Sequence, residues 1–160
     1  MEFYEENLDE KYIKAYNIIK SFHTQMKSEG WGKGCLPPKY TEDLCKEIFK
    51  FKDRIDKSHD AISAKEGKIE VKATIGRSSS TTISSKLEFD HLYWLRFDFE
   101  NDIVHINVYK RDEVYIYLNN ENKMKEERPN ITLKKVVSNK NDDHTIVFNK
   151  SNNVQTYNFY

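Results

Sequence analysis

HDAISAKEGKIEVKAT, His59 to Thr74, sets two charged residues inside a short apolar run. Ile69, Val71 and Ala73 alternate with Glu70 and Lys72. In an extended chain alternate residues share a face, so Glu70 and Lys72 project together, opposite the apolar three. HDAISAK is a second strand candidate, and Glu66-Gly67 between the two is a tight-turn signal. A hairpin closing there lays the strands side by side and brings Asp60 and Glu70 to one end of a sheet. On an edge strand the alternation is ordinary amphipathic patterning. In a buried strand of a mixed sheet, charge persists when it is paired or holds an ion. Two adjacent carboxylates form a hard-oxygen site suited to Mg²⁺, which keeps several waters and takes one or two protein carboxylates.

The triplet is not unique in so charged a chain. Asp9-Glu10-Lys11, Glu66-Gly67-Lys68 and Glu121-Asn122-Lys123 also fit acidic-x-Lys. Only Glu70-Val71-Lys72 lies between β-forming residues and behind an aspartate at hairpin distance.

The flanks supply the rest of a domain. Upstream, Leu8, Tyr12, Ala15, Tyr16, Ile19, Phe22 and Met26 recur in steps of three and four, predicting a helix over about 5–27. GWGKGCLPPKY breaks it, and Thr41 is a good N-cap for a second helix over EDLCKEIFKFK. Downstream of the hairpin, GRSSSTTISSK is a polar stretch. FDHLYWLRFDF and DIVHINVYK are strong strands whose short link, ENDI, predicts an antiparallel pair. RDEVYIYLNN suits a helix or a strand, and the early Asp112 and Glu113 favour the helix. ITLKKVV and HTIVFNK are later strand candidates. Two helices, several strands, a helix and further strands give an α+β or α/β domain with a mixed central sheet.

The 160 residues suit one domain, with 26 basic against 26 acidic side chains. Zero net charge argues against a general polycation, but its distribution is uneven. Lys65 to Leu87 carries +3 and Lys123 to Lys140 carries +4. Two cysteines, Cys35 and Cys45, show neither CxxC nor zinc spacing and read as reduced thiols of a cytoplasmic protein. The acidic start, MEFYEENLDE, is unlike a targeting peptide, and no run is long and apolar enough for a membrane span.

HDAISAKEGKIEVKAT resembles the signature of the PD-(D/E)XK nuclease superfamily: an aspartate ending one strand, a loop of about ten residues, then acidic-x-Lys in the next. Asp60, Glu70 and Lys72 match it in order, with His59 where proline is usual. PPKYTEDLCKEIF resembles the helix that precedes these strands in small type II restriction endonucleases, which makes Glu42 a candidate and Glu47 its runner-up. The serine-rich loop, the Phe-Asp pair and the aromatic strand pair that follow are similar to those enzymes too, so the resemblance covers about Thr41 to Lys110. It implies a restriction-endonuclease-like core, a mixed central sheet flanked by helices. It also implies that Asp60, Glu70 and the backbone carbonyl of Val71 hold Mg²⁺, and that Lys72 serves the attacking water and the transition state. Glu42 then adds a second metal contact, orients a water, or caps its own helix.

The expected organisation is a single nuclease domain, 1–160. It comprises an N-terminal helix (1–30), a catalytic core (41–118) and extra strands and loop (119–160) as a DNA-recognition arm. Arg77 and the hydroxyls Ser78, Ser79, Ser80, Thr81 and Thr82 directly follow the catalytic strand and suit phosphate contact. Lys86 reaches a phosphate or sits in water. Lys123, Lys125, Arg128, Lys134 and Lys135, with Asn119, Asn120, Asn122 and Asn130, are candidates for a sequence-reading arm in which Arg and Lys suit guanine, Arg128 best of them, and Asn suits adenine, or they are the surface of a chain from an AT-rich genome. The expected activity is Mg²⁺-dependent, site-specific cleavage of double-stranded DNA by a homodimer, with a DNA methyltransferase as genetic partner. A structure-specific nuclease of the Holliday-junction or repair type is one alternative, and a non-catalytic DNA-binding protein is another.

Overall fold

A computed structural model of the chain describes residues 1–150. Of the expected arm, 119–160, residues 151–160 lie outside the described part.

The aromatic and β-branched runs form the centre of a seven-stranded mixed sheet. The strands are β1 (Glu2–Tyr4), β2 (Lys52–Asp53), β3 (Ala61–Ser63), β4 (Gly67–Ile75), β6 (His91–Asp98), β7 (Ile103–Lys110) and β9 (His144–Val147). Their order is β1-β9-β7-β6-β4-β3-β2. β4 pairs parallel to β6 and β1 parallel to β9, and the other neighbours are antiparallel. A separate ribbon joins β5 (Ser80–Thr82) to β8 (Asn130–Thr132).

Side-chain alternation splits the core in two. Ile69 and Val71 of β4, with Tyr93, Leu95 and Phe97 of β6, meet Tyr16 of α1 (Glu10–Ser28) and Leu44, Cys45 and Ile48 of α2 (Pro38–Phe49). On the other face Leu92 and Trp94 meet Val114 and Leu118 of α3 (Arg111–Asn120) and Ile83, Ile131 and Leu133 around the ribbon. Each such fully buried large side chain contributes about 1.5–3 kcal/mol. Trp94 is buried without a polar cost because its Nε1–H donates to Thr74 Oγ1 at 2.8 Å.

Several expectations change. The first helix begins at Glu10, capped by Asp9, because Glu2–Tyr4 is drawn into the sheet beside β9. Phe22 is exposed although it continues the apolar stripe. Thr41 is not the N-cap of α2. Pro37 holds that place with Pro38 as first helical residue, where its missing N–H costs nothing. Thr41 is buried and donates to Pro38 O instead. ITLKKVV is strand only to Thr132 and then turns into the short α4 (Leu133–Val136).

The β3–β4 loop is Ala64 to Glu66, so it starts two residues before the expected Glu66-Gly67 turn and ends one residue before it. Gly67 already pairs with Ser63. It has φ +79, and a Cβ there would run into Asp90 Oδ2. That carboxylate accepts the Lys68 N–H at 2.8 Å, so the hairpin tip is held against the start of β6.

Candidate active site

β4 supplies the centre of the site and the segment before β3 closes it. Asp60 N–H donates to Ile69 O at 2.8 Å, and Val71 N–H donates to Asp60 Oδ2 at 2.7 Å. Two bonds therefore fix Asp60 against β4, backbone to backbone and side chain to backbone. The N–H and C=O of one residue in an extended strand project to the same side. The Val71 carbonyl thus lies along the strand edge that Asp60 faces.

Glu70 and Lys72 project from the opposite face to Ile69 and Val71, as the alternation predicts. Lys72 Nζ holds Glu70 Oε1 at 2.8 Å, with only 19% and 16% of the two side chains exposed. Burial holds the Glu70 carboxyl above the usual carboxylate range. Lys72 opposes that shift, and the negative charges of Asp60 and Glu42 add to it. Glu42, near the start of α2, is also raised, first by burial and then by Asp60. Asp60, Glu70 and Glu42 are thus within electrostatic reach of one another, with Lys72 as the cation paired to the inner carboxylate.

Lys39 and Arg54 pull Glu42 back towards ionisation, a role not foreseen from the sequence. Nothing local marks them, since each is one of many exposed cations. Glu47 has other company. It pairs with Lys50 at 3.2 Å and lines an open concavity of about 670 Å³ with Tyr12, Asp43, Lys46 and Asp53. His59, where the resembling signature has proline, is buried with Nδ1 3.0 Å from Ser58 Oγ, and its Nε2 has no partner among the described residues.

Among the described residues no group of three or more His, Cys, Asp or Glu side chains forms a metal cage. The donors that fit a cation are sparser: the Asp60 and Glu70 carboxylates and the Val71 carbonyl, all hard oxygens. One or two carboxylates with waters completing the shell is what Mg²⁺ takes. Burial raises Glu70 most, and the repulsion from Asp60 and Glu42 that adds to it is what a bound cation relieves.

The DNA-contact candidates fall into two groups that the sequence kept apart. Arg77, Ser80, Arg128, Lys134, Lys135 and Lys86 are all exposed, and Ser78, Ser79 and Thr81 are half-buried. The serine run and the basic tail are zipped together. Ser80 pairs with Thr132, Thr81 with Ile131 and Thr82 with Asn130. The bonding continues through Ile83 N–H to Pro129 O and Ser85 N–H to Glu127 O, both at 3.1 Å. Lys134 Nζ reaches the Arg77 carbonyl at 3.4 Å, at the root of the ribbon. Lys86 lines a smaller hollow with Arg111, Asp112 and Tyr115, separate from Asp60 and Glu70.

No curated protein matches the chain. The family model described as Bsp6I restriction endonuclease matches residues 4–155, a span that takes in β2 to β9, the Asp60-Glu70-Lys72 cluster and the ribbon. The chain therefore belongs to the Bsp6I restriction endonuclease family, and with it to the small type II DNA endonucleases.

Proposed function

We propose that the protein cuts double-stranded DNA at a short specific site with Mg²⁺, using Asp60, Glu70 and Lys72. One observation carries this reading: the Val71 N–H bond to Asp60 at 2.7 Å and the Lys72 bond to Glu70 at 2.8 Å hold two carboxylates and an ammonium on β4 and the residue that leads into β3. Asp60, Glu70 and the Val71 carbonyl would hold the cation, which when bound polarises the scissile phosphate and acidifies a water. Lys72 positions the attacking water and offsets the charge that grows on the phosphate. Val71 N–H keeps Asp60 in one rotamer, so little reorganisation is needed when substrate arrives. Glu42 orients a water or adds an outer contact to the cation.

A chain with one such site cuts both strands most simply as a C₂ homodimer on a palindromic or pseudo-palindromic sequence. Such an enzyme requires a protecting DNA methyltransferase in the same cell. Arg77, Ser78, Ser79, Lys134 and Lys135 are assigned to the DNA backbone.

Incubation with plasmid DNA in Mg²⁺ tests the reading. Discrete fragments are expected. Cleavage confined to branched DNA would point instead to a structure-specific nuclease, and binding without cleavage under any divalent ion to a non-catalytic DNA-binding protein.

A further inference from the structure

We infer that the outward face of the β5–β8 ribbon is the element that reads base pairs, entering the major groove with Asn130, Arg128 and the hydroxyls beside them. The inference rests on the reading of the chain as a protein that binds a specific DNA site, and it deepens it.

The ribbon is longer than its two short strands. Leu133 N–H to Ser79 O at 2.8 Å, the register of Thr81 with Ile131, and the bonds from Ile83 to Pro129 and from Ser85 to Glu127 form one antiparallel ladder over 79–85 and 127–133. Alternation then sorts its side chains. Thr81, Ile83, Ile131 and Pro129 turn inward, and Ile83 and Ile131 are sealed in the core beneath α3. The outward pairs are Ser80 with Thr132, Thr82 with Asn130, and Ser84 opposite Arg128. Four of these six, Ser80, Thr82, Arg128 and Asn130, are exposed.

The composition of that face decides what it fits. It holds four hydroxyls, one amide and one guanidinium, with no large apolar group and no carboxylate. Asn pairs with adenine and Arg with guanine in bidentate fashion, and Ser or Thr pairs with either. Outward pairs are the non-hydrogen-bonded ones, whose side chains stand closest across the ladder. Ser80 Oγ donates to Asn130 Oδ1 at 2.6 Å, which fixes the amide across the ribbon before any ligand arrives. The inward face, anchored in the core, gives the element the rigidity that base readout needs.

The dimensions agree. A two-stranded ribbon is one of the two elements the major groove admits. From Ser80 to Ser84 the outward face spans about 13 Å at about 3.3 Å per residue. That is roughly four steps of the duplex at about 3.4 Å each. At the root of the ribbon Arg77 and Lys134 flank it as backbone clamps, joined to the catalytic strand by Gly76 alone. Base reading and cleavage are thus tied through one short link.

The test uses the full chain and a library of duplexes randomised over the binding site, selected in Ca²⁺ and sequenced. The wild type is expected to select one sequence. Asn130→Ala is expected to lose about 5- to 150-fold of its discrimination at one base pair of each half-site, and Arg128→Ala at a neighbouring one within a window of about four. Asn130→Asp, which keeps the shape and exchanges donor for acceptor, is expected to move the preference at that base pair from adenine towards cytosine. Even weakening across all sequences in these variants would overturn the inference and leave the face as a backbone contact, and so would unchanged preferences. Adding Mg²⁺ to the same complexes keeps the two readings apart. A wild type that selects a sequence but does not cut it refutes the endonuclease assignment and not the ribbon, and a wild type that selects and cuts while the ribbon variants keep its preference refutes the ribbon alone.

Discussion

Replacing Lys72 by alanine isolates the electrostatic part of the proposed chemistry. An ammonium about 4 Å from a charge developing on the phosphate is worth about 4 kcal/mol at an effective dielectric of about 20. Only 19% of the Lys72 side chain is exposed, so water screens a minor part of that. A loss of about 3–4 kcal/mol is about 10²- to 10³-fold in rate, which agrees with the removal of a single transition-state donor elsewhere. A second effect acts on Glu70. Burial holds its carboxyl high, and Lys72 pulls it down. Without Lys72 the ionised form proposed to hold a cation appears at higher pH, so the acid limb of the pH–rate profile is expected to move up. Raising the pH then recovers the loss due to Glu70 protonation and leaves the 10²- to 10³-fold deficit. The assay is single-turnover cleavage of a labelled duplex in Mg²⁺ across pH, with Ca²⁺-supported DNA binding as the control for fold. A variant that cuts at the wild-type rate while binding normally would refute the role of Lys72 and, with it, the reading of β4 as the catalytic strand.

Other perturbations have distinct signatures. Glu42→Gln removes a charge that raises Glu70, so the acid limb should move to lower pH, whereas Glu47→Gln should leave the profile in place. If the two variants share one profile, Glu42 is no closer to the chemistry than Glu47. Gly67→Ala forces a side chain onto φ +79 and into the Asp90 carboxylate, and thermal melting should show a loss of more than about 1 kcal/mol. An unchanged melting temperature would mean that the hairpin tip moves freely. Asp102 accepts Tyr16 Oη at 2.9 Å and Lys20 Nζ at 2.8 Å, fastening α1 to the β6–β7 turn. Tyr16→Phe should cost about 1 kcal/mol in denaturant titration, and Asp102→Ala more, because it strands both donors.

The parts of the fold legible in the sequence are those set by local pattern. Alternation through Ile69, Val71 and Ala73 marked β4 and the shared face of Glu70 and Lys72. The aromatic runs on either side of ENDI marked β6 and β7, and the early acids of RDEVYIYLNN marked α3. Elements set by distant partners were illegible. Glu2–Tyr4 is a strand only because Thr145 to Val147 lies beside it, and Ser80–Thr82 only because Asn130–Thr132 does. A serine-rich stretch carries no apolar period to betray such pairing. Two of its residues bury little, and the anchor, Ile83, looks like an isolated isoleucine in a polar loop. Proline at the start of α2 competed with Thr41, a stronger cap by type but placed one turn too late. At the candidate site, the nearness of Asp60, Glu70 and Lys72 is legible in the order of residues around one hairpin. The proximity of Arg54 and Lys39 to Glu42, and the separation of Glu47 from it, depend on how α2 packs against the sheet.

Asp60 and Glu70 are proposed to hold the cation that cutting requires. The most direct measurement is a calorimetric titration of Ca²⁺ into the protein bound to its preferred duplex, for the wild type and for Asp60→Ala. Ca²⁺ occupies oxygen sites with looser geometry and leaves the DNA intact during the experiment. The wild type is expected to give a saturable heat that is lost or weakened by at least about tenfold in Asp60→Ala, with DNA affinity in the absence of Ca²⁺ unchanged. Equal Ca²⁺ affinity in the two proteins would contradict it.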